Sequence, residues 1–256
     1  MSDRRIVLVT GAARRVGREI ALQLAGSGFD VALHYRSNEA EAHATVAELR
    51  AAGAPAHAFQ ADLSDEAACR ALVPAVVAGF KRLDAVVNNA STFEYDNPAS
   101  FGMAAMETHF RANTAPAILL AQALHEHLSG CAEVGCVVNL LDQKLWNPNP
   151  DYFSYTLSKA ALQAATVMLA QALAPQVRVC GVAPGVTLVS GPMSDAQFDA
   201  AHKLTPLQRS STPDDIARSV RFLIESPAIT GTTLLVDGGQ HLTGQPRDVL
   251  YLVQQN

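Results

Sequence analysis

Short runs of consecutive apolar residues alternate along the chain with longer segments in which apolar residues recur at helical spacing. Continuous apolar runs of this length are typical of buried strands, and the helical spacing predicts amphipathic helices. The runs predict strands at about 6–9, 31–35, 57–60, 83–87, 134–141, 177–182 and 232–236. The spacing predicts helices at about 16–24, 39–52, 66–80, 103–128, 155–174, 196–202 and 214–224, with Pro116 kinking or dividing the longest of them.

This alternation of strands and helices determines the fold class that we expect. Strands that are unbroken apolar runs belong to parallel sheets whose two faces are both covered by helices. No internal repeat, low-complexity tract or linker rich in proline and glycine divides the chain. We therefore predict an α/β fold, a single doubly wound Rossmann-type domain over residues 1–256, with a central parallel sheet of about seven strands.

Composition and charge narrow the classes of function. The chain has 256 residues, of which 49% are hydrophobic, and its formal net charge of -5 argues against a nucleic-acid surface. We find no apolar run of membrane-spanning length and no signal pattern, so we expect a cytoplasmic protein without a membrane partner. The four cysteines form no Cys-x-x-Cys motif and the histidines lack ligand spacing, so we predict reduced thiols and no metal site.

The first predicted strand leads into a turn that is suited to binding phosphate. Gly11 permits the tight turn after Thr10, and Gly17 lets the following helix pack closely on the strand. The amino terminus of that helix can then hold a pyrophosphate, and Arg14 and Arg15 add positive charge within the turn. We therefore predict a dinucleotide site at this turn.

The end of the second predicted strand indicates which dinucleotide is bound. NAD sites place an acidic residue there to accept the ribose 2'-hydroxyl. In this chain the strand ends in His34 and Tyr35 and is followed by Arg36 and Ser37, with no carboxylate before Glu39. A guanidinium and a hydroxyl suit a 2'-phosphate. We therefore expect the cofactor to be NADPH.

A tyrosine and a lysine four residues apart begin the apolar helix predicted after the fifth strand. Residues at this spacing lie on one face of a helix, so Tyr155 and Lys159 should point the same way. A cation beside a phenol favours the phenolate, so we expect the pKa of Tyr155 to fall from about 10 toward the working pH. A phenol of this kind can donate a proton to a reducible substrate.

Several motifs, taken in order, resemble those of the short-chain dehydrogenase/reductase family over nearly the whole chain. They are Thr10-Gly11 with Gly17, Asp62 after strand three, Asn88-Asn89-Ala90 after strand four, Asn113 in the next helix, Tyr155 with Lys159, Pro184-Gly185 after strand six, and Asp237-Gly238-Gly239. The resemblance implies that Asp62 and Leu63 hold the adenine and that Asn89 and Ala90 line the cofactor. It also implies that Lys159 binds the nicotinamide ribose hydroxyls, that Asn113 helps to hold a proton-relay water, and that Tyr155 is the acid.

Two departures from that family pattern narrow the resemblance. Arg15 replaces the usual middle glycine of the turn, and Asp142 stands where the usual catalytic serine hydroxyl should be. With His34 to Ser37 and the segment from Asn89 to Phe93, these features are similar to the pteridine reductase branch, which includes bacterial dihydromonapterin reductases. That likeness implies that Ser91 and Phe93 contact the pterin and cofactor, that Phe93 stacks on the bicyclic ring, that Arg15 binds phosphate, and that Thr187 lies near the nicotinamide or pterin.

A carboxylate at position 142 has a chemical meaning apart from the resemblance. Hydride addition to a ketone develops an alkoxide, which a neighbouring carboxylate would destabilise and a serine hydroxyl would stabilise. Reduction of a C=N bond instead requires protonation of a ring nitrogen, and a carboxylate stabilises the resulting cation or passes a proton. Asp142 therefore favours an imine-type substrate such as a dihydropterin. The alternative is that Asp142 points away from the site and that Gln143 or another group serves.

Three further segments bear on the substrate. Trp146, the only tryptophan, lies in a loop fixed by two prolines and could line the pocket or pack beneath the loop. Residues 187–204 are expected to form a substrate lid, and the apolar residues of the tail at 240–256 should pack on the domain or on a neighbouring subunit.

The Ala/Leu face of the Tyr155 helix also suits a subunit contact, and the family resemblance implies a homotetramer. Phe93 could equally be a core or lid aromatic.

The expected function is the NADPH-dependent reduction of a small pterin-like molecule. The expected catalytic residues are Asp142, Tyr155, Lys159 and Asn113, and the expected substrate-binding residues are Ser91, Phe93, Asp142, Trp146 and Tyr155. The expected cofactor-binding residues are Gly11, Arg14, Arg15, Val16, Gly17, His34, Tyr35, Arg36, Ser37, Asp62, Leu63, Asn89, Ala90, Ser91, Tyr155, Lys159, Pro184, Gly185, Val186 and Thr187.

Two other functions remain open at this stage. A carbonyl or 3-oxoacyl-thioester reductase on the same scaffold would need a serine-like donor beside Tyr155, and Asp142 counts against it. A non-catalytic NADPH-binding protein would not need the intact set of Asn113, Tyr155 and Lys159.

Overall fold

A computed structural model describes residues 4–129, 131, 133–189 and 193–253 of the chain. Within this part, seven strands form one sheet in which every pair of neighbours is parallel, in the order β3-β2-β1-β4-β5-β6-β7. The strands are β1 (Ile6–Val9), β2 (Asp30–Tyr35), β3 (Ala56–Gln60), β4 (Ala85–Asn88), β5 (Gly135–Leu140), β6 (Val177–Pro184) and β7 (Thr233–Val236). The predicted fold class, a doubly wound α/β sheet of the Rossmann type, is confirmed.

Helices connect the strands and cover both faces of the sheet. The α-helices are α1 (Arg15–Gly26), α2 (Glu39–Ala51), α3 (Glu66–Phe80), α4 (Met103–His109), α5 (Ala115–Ser129), α6 (Phe153–Ala172), α7 (Asp195–Lys203), α8 (Pro213–Glu225) and α9 (Val249–Val253). None of the helices in the described part of the chain combines the length and the apolar character that crossing a membrane requires.

Two large apolar clusters, one on each face, hold this arrangement together. One cluster joins the sheet to α1, α2 and α8 through fully buried side chains such as Leu24, Leu49 and Leu223. The other joins the opposite face to α3, α5 and α6, with Leu72 and Leu124 among its members. Both clusters take side chains from β1, β2, β4, β5 and β6, so the sequences of these strands are continuous apolar runs rather than alternating ones.

The long helix predicted at 103–128 is divided, and the division lies beside the site described below. A π-helical turn, Phe110–Thr114, separates α4 from α5. Pro116 has no amide hydrogen to donate to the carbonyl group four residues earlier, so an ordinary α-helical turn cannot continue through it. The widened turn places Asn113, which is 4% exposed, in the interior of the protein.

The reversal of strand order beside β1 positions the site. β1 pairs with β2 on one side and β4 on the other, so the chain leaves these strands in opposite directions and a crevice opens at their carboxyl ends. Thr10 joins the two strand ends, because its Oγ1 accepts hydrogen bonds from the amides of Asn89 (2.9 Å) and Ala90 (3.0 Å). The residues that follow β1 and β4 therefore lie close together.

Candidate active site

Two positions of the turn after β1, Gly11 and Gly17, accept only glycine. Gly11 has a φ of +62°, and a Cβ on Gly17 would lie 2.4 Å from the Gly11 carbonyl oxygen and 2.5 Å from Asn89 Nδ2. Asn89 fixes the turn by donating from Nδ2 to the carbonyl oxygens of Thr10 (2.9 Å) and Gly11 (3.2 Å). No side chain caps the start of α1, so its first amide groups remain directed at the crevice.

His34 supports this turn from inside the protein. Its Nδ1 accepts a hydrogen bond from the Gly11 amide at 3.1 Å, and Nε2 lies 3.1 Å from the Ala61 carbonyl oxygen, to which it donates in the neutral tautomer. Burial lowers the pKa of His34, which favours that neutral form. Both ring nitrogens are engaged by the backbone, so the imidazole supports the turn while lining the crevice from beneath.

A groove of about 380 Å³ runs from the turn to the end of β2. It brings together most of the residues expected to bind the cofactor, and it is lined by Gly11, Arg14, Arg15, Val16, Gly17, His34, Tyr35, Arg36, Ser37, Asp62, Leu63, Asn89, Ala90 and Ser91 among others. Arg36 and Ser37 are exposed at its rim. Hydrogen bonds from Ser64 are the largest cause that lowers the pKa of Asp62, and the Arg36 charge contributes in the same direction.

The chemistry of this groove fits a dinucleotide that carries a 2'-phosphate. Free amides at the start of α1 and three guanidinium groups, those of Arg14, Arg15 and Arg36, supply the donors that phosphates require. A side chain on Gly17 would fill the space between the turn and Asn89. Arg15 adopts φ +56°, a conformation that favours glycine, and its Nη2 donates to the Val189 carbonyl oxygen at 3.0 Å.

A second cleft, of about 330 Å³, adjoins the groove and shares Arg15, Val16 and Ser91 with it. It also contains the expected residues Phe93, Asp142, Tyr155, Gly185, Val186 and Thr187, together with Gln143, Lys144, Tyr152, Leu188, Met193, Gln240, Asp248, Val249 and Leu250. The two cavities are therefore contiguous, with the turn on one side and the start of α6 on the other.

Tyr155 and Asp142 form a hydrogen-bonded pair in this cleft. Tyr155 Oη donates to Asp142 Oδ2 at 2.9 Å. Burial, and then the nearby Asp142 carboxylate, raise the pKa of Tyr155 well above its ordinary value of 10.0. Burial likewise raises the pKa of Asp142. The expectation that Lys159 lowers the pKa of the phenol was wrong, because burial and the carboxylate outweigh the more distant ammonium.

Lys159 lies on the same side of α6 as Tyr155 but is directed at β5. Its Nζ donates to the Leu140 carbonyl oxygen at 2.7 Å and lies 5.8 Å from the centroid of the Tyr155 ring. Burial lowers the pKa of Lys159 to about 8. The ammonium group is therefore a fixed charge behind the tyrosine rather than a direct partner of its hydroxyl.

Asn113 anchors the segment that leads to Phe93. Its Oδ1 accepts from the Thr92 amide (2.7 Å) and the Ser91 hydroxyl (3.1 Å), and its Nδ2 donates to the Thr92 carbonyl (3.0 Å) and Ser158 Oγ (3.0 Å). These four bonds use the side chain's ordinary hydrogen-bonding capacity. The side chain therefore fixes this segment, and a role for Asn113 in holding a relay water stays a prediction.

An aromatic cluster forms one wall of the cleft. Phe93 stacks on Tyr152, with ring centroids 4.0 Å apart, and meets Tyr155 edge to face at 4.7 Å. Phe93 is 42% exposed, so one part of its ring remains accessible in the cleft. Tyr152 has φ +53° at the start of α6, a conformation that the sequence pattern did not indicate.

Trp146 is not among the residues that line the cleft, and its contact with substrate stays a prediction. It ends a short 3-10 helix, Gln143–Trp146. Gln143 and Lys144 face the cleft, whereas Trp146 is 37% exposed outside it.

Beyond β6 the described residues continue along the cleft. Pro184 ends the strand, and Thr187 Oγ1 donates to the Gly185 carbonyl oxygen at 2.9 Å and lies 2.7 Å from Ser211 Oγ. Residues 190–192 of the expected lid and 254–256 of the expected tail lie outside the described residues. Within the tail, α9 packs onto α7, where Val249 and Val253 are buried beside Ala201.

The sequence pattern predicted that the carboxyl-terminal segment packs on the domain or on a neighbouring subunit, but not that Asp248, Val249 and Leu250 line the cleft. Lys144, which is 4% exposed, donates from Nζ to the Asp151 carbonyl oxygen (2.6 Å) and to Asp248 Oδ2 (3.2 Å). Arg247 in turn binds the Asp151 carboxylate with both Nε and Nη2. The only advance signal was the apolar character of the tail. Among the described residues no group of three His, Cys, Asp or Glu side chains could hold a metal ion.

Asp96 holds the start of the helix that carries Tyr155. This buried carboxylate accepts a hydrogen bond from the Ser154 amide at 2.9 Å and another from the Ser154 hydroxyl. Replacing Asp96 by alanine should therefore lower the free energy of unfolding by about 2–3 kcal/mol, because two buried donors lose a charged acceptor. Urea denaturation measures this change. Asp65→Ala, which removes an exposed helix cap distant from the cleft, is the matched control and should cost about 1 kcal/mol.

Comparisons with known proteins agree with this geometry. A family model described as enoyl-(acyl carrier protein) reductase matches residues 11–241. The chain is 33% identical to pteridine reductase 1 of Leishmania tarentolae, over 93% of this chain and 96% of that protein. It is 32% identical to the 3-oxoacyl-[acyl-carrier-protein] reductase FabG of Staphylococcus aureus, over 92% and 97% respectively.

A solved structure extends this comparison to three dimensions. The crystal structure of FolM alternative dihydrofolate reductase 1 from Brucella suis, in complex with NADP, superposes with a TM-score of 0.91. The two sequences are 40% identical, and the match covers 97% of this chain and 99% of that one.

Proposed function

Because this chain belongs to the short-chain dehydrogenase/reductase family, we propose that it is an NADPH-dependent reductase that converts a dihydropterin to a tetrahydropterin. The observation that carries the proposal is the hydrogen bond between Tyr155 and Asp142 in a cleft that adjoins the dinucleotide groove. The similarity to a pteridine reductase and to a FolM protein supports the same substrate class.

The groove residues would hold NADPH with its phosphates at the start of α1. Arg36 and Ser37 would bind the 2'-phosphate, and Arg14 and Arg15 would neutralise charge along the turn. Lys159, whose Nζ donates to the Leu140 carbonyl oxygen, would also bind the nicotinamide ribose hydroxyls. The bound cofactor would supply the hydride for the reduction. The NADP complex of the Brucella suis protein supports this choice of cofactor.

The paired acids would deliver the proton that reduction of a C=N bond requires. Both pKa values are raised, so Tyr155 remains a phenol and Asp142 holds its proton to a higher pH than an ordinary aspartic acid. Tyr155 can give its proton to a ring nitrogen and recover one from Asp142 through the hydrogen bond between them. When ionised, the Asp142 carboxylate would also stabilise a protonated, positively charged ring. Phe93 would stack on that ring.

The second candidate function is reduction of a 3-oxoacyl thioester, which the similarity to FabG favours. Ketone reduction places negative charge on the carbonyl oxygen. In this cleft the residue hydrogen-bonded to Tyr155 is a carboxyl group, not a hydroxyl, and its ionised form would repel that charge. The pteridine function is therefore preferred.

Product analysis tests the proposed function. Purified protein, NADPH and a dihydropterin should yield the corresponding tetrahydropterin in a one-to-one ratio with the NADPH consumed. Chromatography with mass detection identifies the product. Absence of tetrahydropterin from every dihydropterin tested, with NADPH binding intact, would refute the proposal.

Arg36→Ala tests the assignment of NADPH. Removing the guanidinium should raise KM for NADPH by about 10- to 100-fold, because a charge-assisted pair with phosphate is lost, and should leave KM for NADH within about twofold. Steady-state kinetics with both cofactors measures the difference. Arg70→Ala, an exposed arginine paired with Glu66 on α3, is the matched control. Equal effects on the two cofactors would contradict the 2'-phosphate assignment.

The homotetramer and the cytoplasmic location stay predictions. The exposed apolar side chains of α6, with Val167 45% and Met168 61% exposed, suit a subunit contact. Light scattering of the purified protein measures the assembly.

A further inference from the structure

Two polar residues of the cleft, Gln143 and Asp248, have no part in the proton delivery proposed above. Gln143 follows Asp142 in the chain, and its Oε1 is buried without a hydrogen-bond partner among the described residues. Asp248 reaches the same cleft from the carboxyl-terminal segment, and its side chain is 20% exposed. A buried polar atom without a partner costs about 1–3 kcal/mol, so this acceptor suits a ligand that satisfies it.

The Asp248 carboxylate is held in place but retains capacity for further bonds. Its Oδ2 accepts from Lys144 Nζ at 3.2 Å, and its Oδ1 accepts from the Leu250 amide at 3.1 Å. An ionised carboxylate offers about four acceptor positions, so each oxygen can accept one more hydrogen bond. Asp248 can therefore accept hydrogen bonds from two donor groups of a ligand, one on each oxygen.

The surrounding ion pairs fix the position of Asp248. Its amide donates to Asp151 Oδ2 at 2.8 Å, and Arg247 binds the same carboxylate through Nε at 2.7 Å and Nη2 at 2.8 Å. Asp151 itself lies two residues from the start of α6. The carboxyl-terminal segment and the helix that carries Tyr155 are thus joined through one buried aspartate.

Acceptor oxygens line the polar side of the cleft beside Lys144. Asp142, Gln143 and Asp248 contribute acceptor oxygens, whereas the ammonium of Lys144 is already engaged by the Asp151 carbonyl and by Asp248. The charge of Asp248 also contributes to the raised pKa of Asp142 and of Tyr155, in keeping with its closeness to the pair. The N–H groups of a ligand would complement these acceptors.

We propose that Gln143 and Asp248 determine substrate specificity by accepting hydrogen bonds from the N–H groups of a 2-amino-4-oxopyrimidine ring. This inference rests on the proposed function and names the residues that recognise the pterin. A ring N–H beside an exocyclic amine presents two parallel donors, the arrangement that pairs with both oxygens of a carboxylate. The reacting end of a 3-oxoacyl thioester carries no such donors.

The test compares a dihydropterin with its analogue that lacks the 2-amino group. Asp248→Asn should raise KM for the amino compound about tenfold or more, and should raise KM for the deamino analogue by a smaller factor, because that analogue keeps the ring N–H and lacks only the amine donor. Gln143→Leu should act in the same direction without touching the Lys144–Asp248 pair, so it remains informative if Asp248→Asn folds poorly. NADPH affinity, measured by fluorescence, reports whether each variant is folded.

Arg247→Gln is the matched structural control. It loosens the same segment without removing an acceptor from the cleft, so KM for the two substrates should rise together. If Asp248→Asn and Gln143→Leu also raise KM for the amino compound and for the deamino analogue by the same factor, these residues do not recognise the pterin ring, while the proposed function stands. If the wild-type protein reduces no dihydropterin, the proposed function fails and this inference fails with it.

Discussion

Replacing Tyr155 by phenylalanine is expected to lower kcat for dihydropterin reduction by about 10²- to 10⁴-fold, the range that general acid catalysis contributes. The ring remains, so its edge-to-face contact with Phe93 and the shape of the cleft are retained. The hydroxyl that donates to Asp142 is lost, and with it the proton path to the substrate. NADPH affinity should stay within about twofold, because the hydroxyl is engaged by Asp142 rather than by the groove.

Tyr152→Phe provides the matched control for that experiment. Tyr152 lies in the same cleft and stacks on Phe93, but its hydroxyl is not part of the Tyr155–Asp142 pair. Its loss should lower kcat by less than about tenfold. Comparable losses in the two variants would mean that the cleft responds to any missing hydroxyl, and that Tyr155 is not the proton donor.

Replacing Asp142 by asparagine should lower kcat for the dihydropterin by about 10²-fold. It should also abolish the fall of kcat with rising pH that the Asp142 carboxyl group causes. In the wild-type protein, burial raises the pKa of Asp142 above its ordinary value of 3.8. The protonated Asp142 carboxyl group, which returns a proton to Tyr155, therefore predominates below this raised pKa. The value of kcat should fall as the pH rises through it. Tyr155 does not contribute to this fall, because its own pKa is well above 10.0.

The asparagine variant cannot lose a proton, so its kcat should be low and independent of pH over the same interval. The pH profiles of kcat at saturating NADPH measure this difference. An Asn variant that keeps the wild-type profile would place the titrating group elsewhere. Asp142→Ser, by contrast, is expected to weaken dihydropterin reduction and to improve ketone reduction, since it restores a hydroxyl donor.

Local sequence patterns were sufficient to predict the strands and helices and many of the residues that line the site. Continuous apolar runs such as Ile6–Val9 are buried on both faces of a parallel sheet, so their interpretation does not depend on distant residues. The turn at Gly11 and the pair of Tyr155 and Lys159 are likewise defined by short spacing. Asp142 lies two residues after the end of β5, and its hydrogen bond to Tyr155 joins that strand end to the start of α6.

The properties that depend on tertiary contacts could not be predicted in this way. The pKa of Tyr155 depends on burial and on a carboxylate 13 residues away, and these effects reverse the shift that its local neighbour Lys159 suggested. Asp248 enters the cleft because it pairs with Lys144, 104 residues earlier.

The most direct test of the central claim is the ratio of two kcat/KM values for the wild-type protein with NADPH, one for a dihydropterin and one for a 3-oxoacyl thioester. A carboxyl group paired with Tyr155 favours protonation of a ring nitrogen, so the dihydropterin should be preferred by about 10²-fold or more. A preference for the thioester would contradict the account, and would mean that the Asp142–Tyr155 hydrogen bond does not select the substrate.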